Sequence, residues 1–298
     1  MWRHSPRIFA LVIAASIATE AFGGAEFKAL PGGMPNTYQL TTEDQLTETH
    51  RREIANYVRK RERTGSFKSD RGGAVIQYRI IAATNPQNAV VIVNGRTESM
   101  LIYDELIYDL NRLGYTVYIH DHRGQGLSGG RLRAAPERGY VANFDDYVAD
   151  LEKFINERVL PAHHANLYLL AHSMGGAIAT LYLEKDPNRT IFKAAALVTP
   201  MHEPLLPLKG HDLTKELCQA EDLVGRHLNQ AGFVTGTPTY SKTKFSDNDL
   251  SHSKVRYEST QAIYDANGIR VQWPTRGWVR EACEAGAAAR AHANKIAI

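Results

Sequence analysis

A serine with small neighbours, Ser173 in the run LAHSMGG, has the residue type and spacing of a catalytic nucleophile. It follows the apolar segment 166–170, which predicts a buried strand, and it precedes 174–185, which predicts a helix. A nucleophile in such a sharp strand-to-helix turn needs small residues nearby on both sides, and Ala171 and Gly175 occupy those positions. The pattern predicts that Ser173 attacks a carbonyl carbon. The alternative is a serine that only caps the helix.

Attack on a carbonyl carbon leaves a negative oxygen, which needs N–H groups directed at it. Met174, the residue after the nucleophile, is expected to supply one of them. The segment 94–98 (NGRTE) follows a second apolar strand at 90–93 and is expected to approach the same place. Gly95 would let the backbone turn close to the substrate, so we assign the second N–H to Arg96. An ordinary Asn-Gly turn is the alternative.

The segment 121–129 (DHRGQGLSG) follows the next predicted strand, 115–120. Asp121 and His122 have the chemistry of catalytic residues. The glycines and an Asp121–Arg123 ion pair favour a rigid loop that braces the site, and we adopt this structural interpretation.

The elements that position these residues alternate between strands and helices. The predicted strands are 74–81, 89–94, 115–120, 166–170 and 192–198, and the predicted helices are 42–61, 103–112, 144–159, 174–185 and 278–294. Alternation at these spacings predicts a doubly wound, mostly parallel sheet with helices on both faces. Ligands of such sheets bind beyond the carboxyl ends of the strands, where the three segments described above lie.

The alternation stops after Pro200, and residues 203–276 are polar and irregular. Short helices are predicted near 213–228 and 255–267. An unstructured segment of this length would be unusual in a compact domain, so we predict a helical or irregular cap across the site mouth rather than a loose surface excursion. The predicted organisation is a signal peptide or N-terminal anchor at 1–25, a core at 26–202, a cap insertion at 203–276 and an incomplete return to the core at 277–298.

The N-terminus has the three-part pattern of a secretory signal. Arg3 and Arg7 precede a largely apolar run of 11 residues at 8–18, and small residues are frequent at 21–25. The run is shorter than the roughly 20 residues that a membrane-spanning helix needs. We predict an exported protein that is periplasmic or membrane-associated, with an interfacial anchor or a buried helix as the alternative.

The charges nearly balance, with 35 basic and 32 acidic residues, which argues against a nucleic-acid partner. A denser basic stretch at 51–68 is either a solvated helix face or a point of peripheral contact with anionic lipid. Cys218 and Cys283 could pair in an exported chain or remain free thiols. Neither cysteine has the spacing of a metal ligand.

Several motifs in order resemble one known family. They are 93–99 (VNGRTES), 121–128 (DHRGQGLS) and 171–176 (AHSMGG), with further similar stretches at 143–147 and 248–257. The chain resembles the bacterial lysophospholipase L2 group of the monoacylglycerol lipase-like, serine aminopeptidase-type α/β hydrolases. The resemblance extends over about residues 40–298. It implies an acyl-enzyme on Ser173, a lipid ester substrate (lysophospholipid or monoacylglycerol), no metal and no organic cofactor.

The same resemblance places an acid and a base on late strands, in the chain order serine, acid, histidine. No residue up to 298 matches either position, so we expect an α/β-hydrolase fold that is truncated before its last core strands. His202, beside Glu203, is a candidate base near the site mouth, and His252 lies in the predicted cap. His172 is expected to point away from the Ser173 hydroxyl. A peptidase or amidase of the same fold and an inactive hydrolase that lacks the acid and histidine are the competing hypotheses.

Overall fold

A computed structural model of the chain describes residues 36–185, 191–204, 207–208, 211–212, 218–219, 243–248, 250–271 and 274–296. The predicted signal at 1–25 lies outside these residues, as does nearly all of the helix predicted at 213–228. The extent of the cap therefore remains a prediction.

Six strands form one mixed sheet, and the predicted fold class is confirmed. They are β1 (Glu62–Lys68), β2 (Val75–Ile81), β3 (Asn88–Val93), β4 (Tyr115–His120), β5 (Asn166–His172) and β6 (Ala194–Val198). The order across the sheet is β1-β2-β4-β3-β5-β6. The pairs β4–β3, β3–β5 and β5–β6 are parallel, whereas β1–β2 and β2–β4 are antiparallel. The carboxyl ends of β3, β4 and β5 therefore meet at one edge.

Helices cover both faces of this sheet. They are α1 (Glu48–Arg61), α2 (Asp104–Arg112), α3 (Asp145–Phe154), α4 (Met174–Lys185) and α6 (Arg276–Ala291). The helix α5 (Lys254–Asn267) packs beside the 3-10 turn Met100–Tyr103. One apolar cluster joins α3, α4 and α6 to the sheet, and a second joins α1 and α2 to it. Every residue from Ala89 to Val93 is buried, as expected for a central parallel strand covered on both faces.

The N-terminal half departs from prediction at two places. The helix predicted from Thr42 is interrupted: a 3-10 turn, Glu43–Gln45, precedes α1, which begins after Thr47. The Thr47 hydroxyl accepts a hydrogen bond from the His50 N–H at 3.2 Å and caps the helix. The edge strand β1 was not predicted, because Phe67 is its only buried residue and its polar sequence lacks an apolar period.

The last described part of the predicted return to the core, 277–298, is a turn. Ala293–Lys295 forms a 3-10 turn after α6, and only Ile296 beyond it has extended backbone among the described residues. Ile296 packs partly buried against the larger apolar cluster. Residues 297–298 lie outside the described residues.

A disulfide ties the predicted cap to the core. Cys218 and Cys283 are bonded, with their Cα atoms 5.7 Å apart, so the free-thiol alternative is wrong. Cys283 lies on α6, whereas Cys218 lies in the segment predicted as a cap. The helix predicted at 255–267 is confirmed as α5. Among the described residues, none of the helices has the length and apolar character that crossing a bilayer requires.

Candidate active site

The turn between β5 and α4 holds Ser173 in a strained conformation. Its φ is +50°, in the left-handed region that side-chain-bearing residues rarely adopt. Its N–H donates to the Val198 carbonyl at 2.9 Å, and its carbonyl accepts from the N–H groups of Gly176 at 2.8 Å and Met201 at 2.9 Å. Neighbouring strands and α4 thus hold the strain in place. A strained residue between a buried strand and a helix is the geometry of a nucleophile turn.

Two glycines allow α4 to approach the ends of β3 and β6. A Cβ atom on Gly175 would lie 2.1 Å from the Val93 carbonyl oxygen and 2.5 Å from that of Asn94. A Cβ atom on Gly176 would lie 2.6 Å from Cβ of Pro200. These neighbours are backbone or ring atoms that cannot swing away. The Ser173 turn is therefore in direct contact with the start of the segment 94–98, which we call the 94–98 loop.

The 94–98 loop folds around the carboxylate of Glu98. Its Oε2 accepts from the Gly95 N–H at 2.5 Å and from the Tyr103 hydroxyl at 2.6 Å. Thr97 adopts a φ of +64°, a second strained non-glycine position. A Cβ atom on Gly95 would lie 3.0 Å from Nδ1 of His172, so the loop borders the residue next to Ser173.

Glu98 also forms an ion pair with His172, at 2.9 Å from Oε1 to Nδ1. Burial alone would raise the pKa of Glu98, but the His172 imidazolium and the donors from Tyr103 and Gly95 hold it below its usual value. Burial alone would lower the pKa of His172, but the Glu98 carboxylate outweighs this effect and raises it. The pair fixes Nδ1 of His172 onto Glu98, so that nitrogen is not directed at the Ser173 hydroxyl.

The Glu98–His172 pair predicts a pH window of stability. The raised pKa of His172 contributes stability below its unfolded value of 6.5, and this contribution is lost as the pH rises through the folded value. The lowered pKa of Glu98 contributes stability above 4.5, and this contribution is lost as the pH falls. The melting temperature of the wild type should therefore exceed that of Glu98→Gln most between about pH 4.5 and 6.5.

Thermal melts between pH 3.5 and 9 would check this window. Glu53→Gln is the matched control, because Glu53 pairs with His50 at 3.0 Å in a setting where its side chain is 65% exposed. An exposed pair is worth little, so the control should show a small and flat difference. A Glu98→Gln difference that stays constant across the whole range would contradict the prediction.

Asp121 ties the end of β4 to the chain that follows β3. Its carboxylate accepts from the Met100 N–H at 2.6 Å, the Leu127 N–H at 2.7 Å and the Ser99 hydroxyl at 3.1 Å. Burial raises its pKa to about 6, although these hydrogen bonds oppose that rise. Each contact is made to the protein's own backbone or a neighbouring hydroxyl, as expected for a residue that braces the site.

The predicted Asp121–Arg123 pair is wrong. Arg123 turns instead toward α3, where its guanidinium binds both oxygens of Asp150 at 2.7 and 2.9 Å and Asp146 at 2.8 Å. It also donates to the Ser69 hydroxyl at 2.6 Å. The segment 121–129, called the 121–129 loop from here on, is thereby fastened to α3 as well as to the sheet.

Two buried side chains of the 121–129 loop reach the 94–98 loop. His122 lies 2.9 Å from the Asn94 carbonyl through its Nε2, and burial lowers the pKa of His122 to about 4. Gln125 contacts the backbone of Gly95 and Thr97. Neither Gln125 nor Glu98 was predicted as a site residue from the sequence. In the sequence, each is a polar residue within a glycine-containing motif. Such a motif indicates a loop but does not show which residues its side chains contact.

The Arg96 side chain points away from its own loop. Its guanidinium carbon lies 4.8 Å from the ring centroid of Trp278 on α6, and burial lowers the pKa of Arg96 to about 10. A Cβ atom on Gly139 would lie 2.7 Å from this guanidinium. Arg96 therefore anchors the loop through its side chain, while its backbone belongs to the loop that borders the Ser173 turn.

The candidate base His202 lies elsewhere. Its Nε2 is 2.9 Å from the Thr180 hydroxyl on α4, one turn beyond Gly176, and its carbonyl accepts from Arg290. Burial lowers the pKa of His202. Within the described ranges, no hydrogen bond joins the Ser173 hydroxyl to a histidine, and no group of His, Cys, Asp and Glu could hold a metal ion.

Comparison with known proteins gives a consistent result. Residues 84–298 match the family described as "Serine aminopeptidase, S33". Lysophospholipase L2 of Escherichia coli is 42% identical over 205 residues, which cover 68% of this chain and 58% of that protein. Monoglyceride lipase of Rattus norvegicus is 35% identical over 116 residues, which cover 39% of this chain and 36% of that enzyme. The match thus spans little more than half the length of the bacterial relative.

Solved structures show the same fold. A thermostable carboxyl esterase from Bacillus coagulans superposes with a TM-score of 0.55 at 16% sequence identity, covering 79% of this chain and 76% of the esterase. At this level of identity the likeness establishes the architecture of the sheet and helices.

Proposed function

Because this chain belongs to the serine aminopeptidase (S33) family, we propose that it is a serine hydrolase that cleaves the carboxylic ester of a lysophospholipid or monoacylglycerol. The Ser173 turn carries the proposal: a serine at φ +50°, between a buried strand and a helix, with two glycines clearing the approach. The substrate class draws on the similarity to a lysophospholipase and a monoglyceride lipase.

In the proposed reaction the Ser173 oxygen attacks the acyl carbonyl carbon, and its proton passes to a general base that is not among the described residues. The same base returns the proton to the alcohol oxygen as the alcohol leaves. The carbonyl oxygen becomes an oxyanion, which the N–H groups of Met174 and Arg96 stabilise. Collapse of this tetrahedral intermediate expels the alcohol and leaves an acyl-enzyme, which water then hydrolyses. Two observations support these donors: Met174 is the first residue of α4, and Gly95 borders His172.

Export is part of the proposal. The disulfide between Cys218 and Cys283 supports it, since disulfides persist mainly in oxidising compartments. Exposed basic residues at the end of α1, Arg59, Lys60 and Arg61, support peripheral contact with an anionic lipid surface, where ester lipids reside.

A substrate panel tests the proposed bond and lipid class. The chain is incubated with lysophosphatidylcholine, with a monoacylglycerol and with a proline amide, and kcat/KM is compared at one salt concentration. We expect the two lipid esters to be turned over at least about 10²-fold faster than the amide. The family description makes the amide the specific competitor. A preference for the amide would replace the ester proposal, and the absence of any turnover would contradict both.

A further inference from the structure

The side-chain amide of Gln125 bridges two backbone groups of the 94–98 loop. Its Nε2 donates to the Gly95 carbonyl at 3.1 Å, and its Oε1 accepts from the Thr97 N–H at 2.9 Å. Gln125 is only 3% exposed, so water does not compete for these bonds. A carbonyl can only accept and an N–H can only donate, so this bridge also fixes which way the amide is turned.

The preceding peptide, between Asn94 and Gly95, is held at both ends. Its carbonyl accepts from Nε2 of His122 at 2.9 Å, and its N–H donates to Glu98. Burial keeps His122 neutral by lowering its pKa, so the ring carries a single proton. That proton must lie on Nε2, because the carbonyl opposite cannot donate.

The peptide between Gly95 and Arg96 is therefore fixed through its carbonyl. A trans peptide is planar, with its N–H pointing opposite to its C=O. Gln125 holds that carbonyl toward the 121–129 loop, so the Arg96 N–H points the other way. A Cβ atom on Gly95 would lie 3.0 Å from Nδ1 of His172, and a Cβ atom on Gly175 of α4 would lie 2.5 Å from the Asn94 carbonyl oxygen. The Ser173 turn therefore borders this part of the 94–98 loop.

We propose that Gln125 is a positioning residue that holds the Gly95–Arg96 peptide with its N–H directed at the oxyanion formed on attack by Ser173. The inference rests on the proposed function. Thr97 has a strained φ of +64°, a backbone conformation that is not intrinsically favoured. The loop therefore needs hydrogen bonds, such as those from Gln125, to keep this conformation. Without the bridge the peptide is free to rotate, and the oxyanion loses one of its two donors.

Three substitutions test this role. Gln125→Met has nearly the same length and removes both bonds. Gln125→Glu keeps an acceptor for Thr97 but places an oxygen against the Gly95 carbonyl. Gln77→Glu, at a half-buried position on β2, is the control. The loss of one oxyanion donor costs about 10²–10³-fold in kcat, so both Gln125 variants should lose about 10² in kcat with little change in KM. The control should retain wild-type kinetics.

A crystal structure of Gln125→Glu provides a readout that does not depend on turnover. The Gly95–Arg96 peptide should be rotated, with its carbonyl no longer directed at residue 125. The positioning role would be overturned if both variants kept the wild-type kcat, or if KM rose in place of the loss in kcat. An unrotated peptide in the Gln125→Glu structure would overturn it as well. If the wild type neither hydrolyses lipid esters nor reacts with a fluorophosphonate, the proposed function fails, and the peptide orientation still decides the role of Gln125.

Discussion

Ser173→Ala is expected to lower ester hydrolysis by at least about 10³-fold while leaving the fold intact. The loss follows because alanine has no oxygen with which to form the acyl-enzyme. The fold survives because Ser173 is held through its backbone, by bonds to Val198, Gly176 and Met201. Alanine carries the same Cβ as serine, so the strain at φ +50° is unchanged. Turnover of lysophosphatidylcholine and labelling by a fluorophosphonate would both be measured.

Ser173→Gly separates strain from catalysis. Glycine adopts a positive φ without penalty, so this variant should be inactive yet more stable than the wild type by about 1 kcal/mol. Ser66→Ala, at an exposed position on β1, is the control and should keep full activity. Labelling that survives Ser173→Ala would exclude Ser173 as the nucleophile. A Ser173→Gly protein that is less stable than the wild type would show that the strain is not a cost of the nucleophile turn.

The strands nearest Ser173 were predictable because burial on both faces leaves a strong sequence signal. The segment 89–94 is almost entirely apolar, and the structure places it at the centre of the sheet as β3. The strand-to-helix turn at Ser173 was predictable for a different reason. The backbone of β3 lies so close to Gly175 that no side chain fits there, so this position requires glycine. A glycine at this spacing from a serine is visible in the sequence.

The contacts that organise the site were not predictable, because they join residues distant in sequence. Glu98 meets His172 only after β3 and β5 pair, and Arg123 meets Asp150 only after α3 packs on the sheet. A charged residue in a loop has several partners within reach of its side chain. The nearest acid in sequence, Asp121, was chosen for Arg123, but it is already saturated by donors from Ser99, Met100 and Leu127.

Arg123→Met should be the most destabilising change in the 121–129 loop, at about 3–5 kcal/mol. Methionine fills a similar volume but removes the cation, which leaves the Asp150 carboxylate with 2% side-chain exposure and no ion-pair partner from the loop. An uncompensated buried charge is far more costly than the pair itself is favourable. Urea unfolding at pH 7 would measure the loss, with Arg133→Met, at an exposed position, as the control.

A double variant tests whether the stability lost in Arg123→Met comes from the unpaired carboxylate of Asp150. Arg123→Met/Asp150→Leu removes both charges and should recover a large part of the lost stability, because the two residues act as one unit. If the double variant is as unstable as the sum of the two single variants, the loss comes from packing and not from an orphaned carboxylate. Recovery would show that this buried pair fastens the loop that carries His122 and Gln125 against the candidate active site.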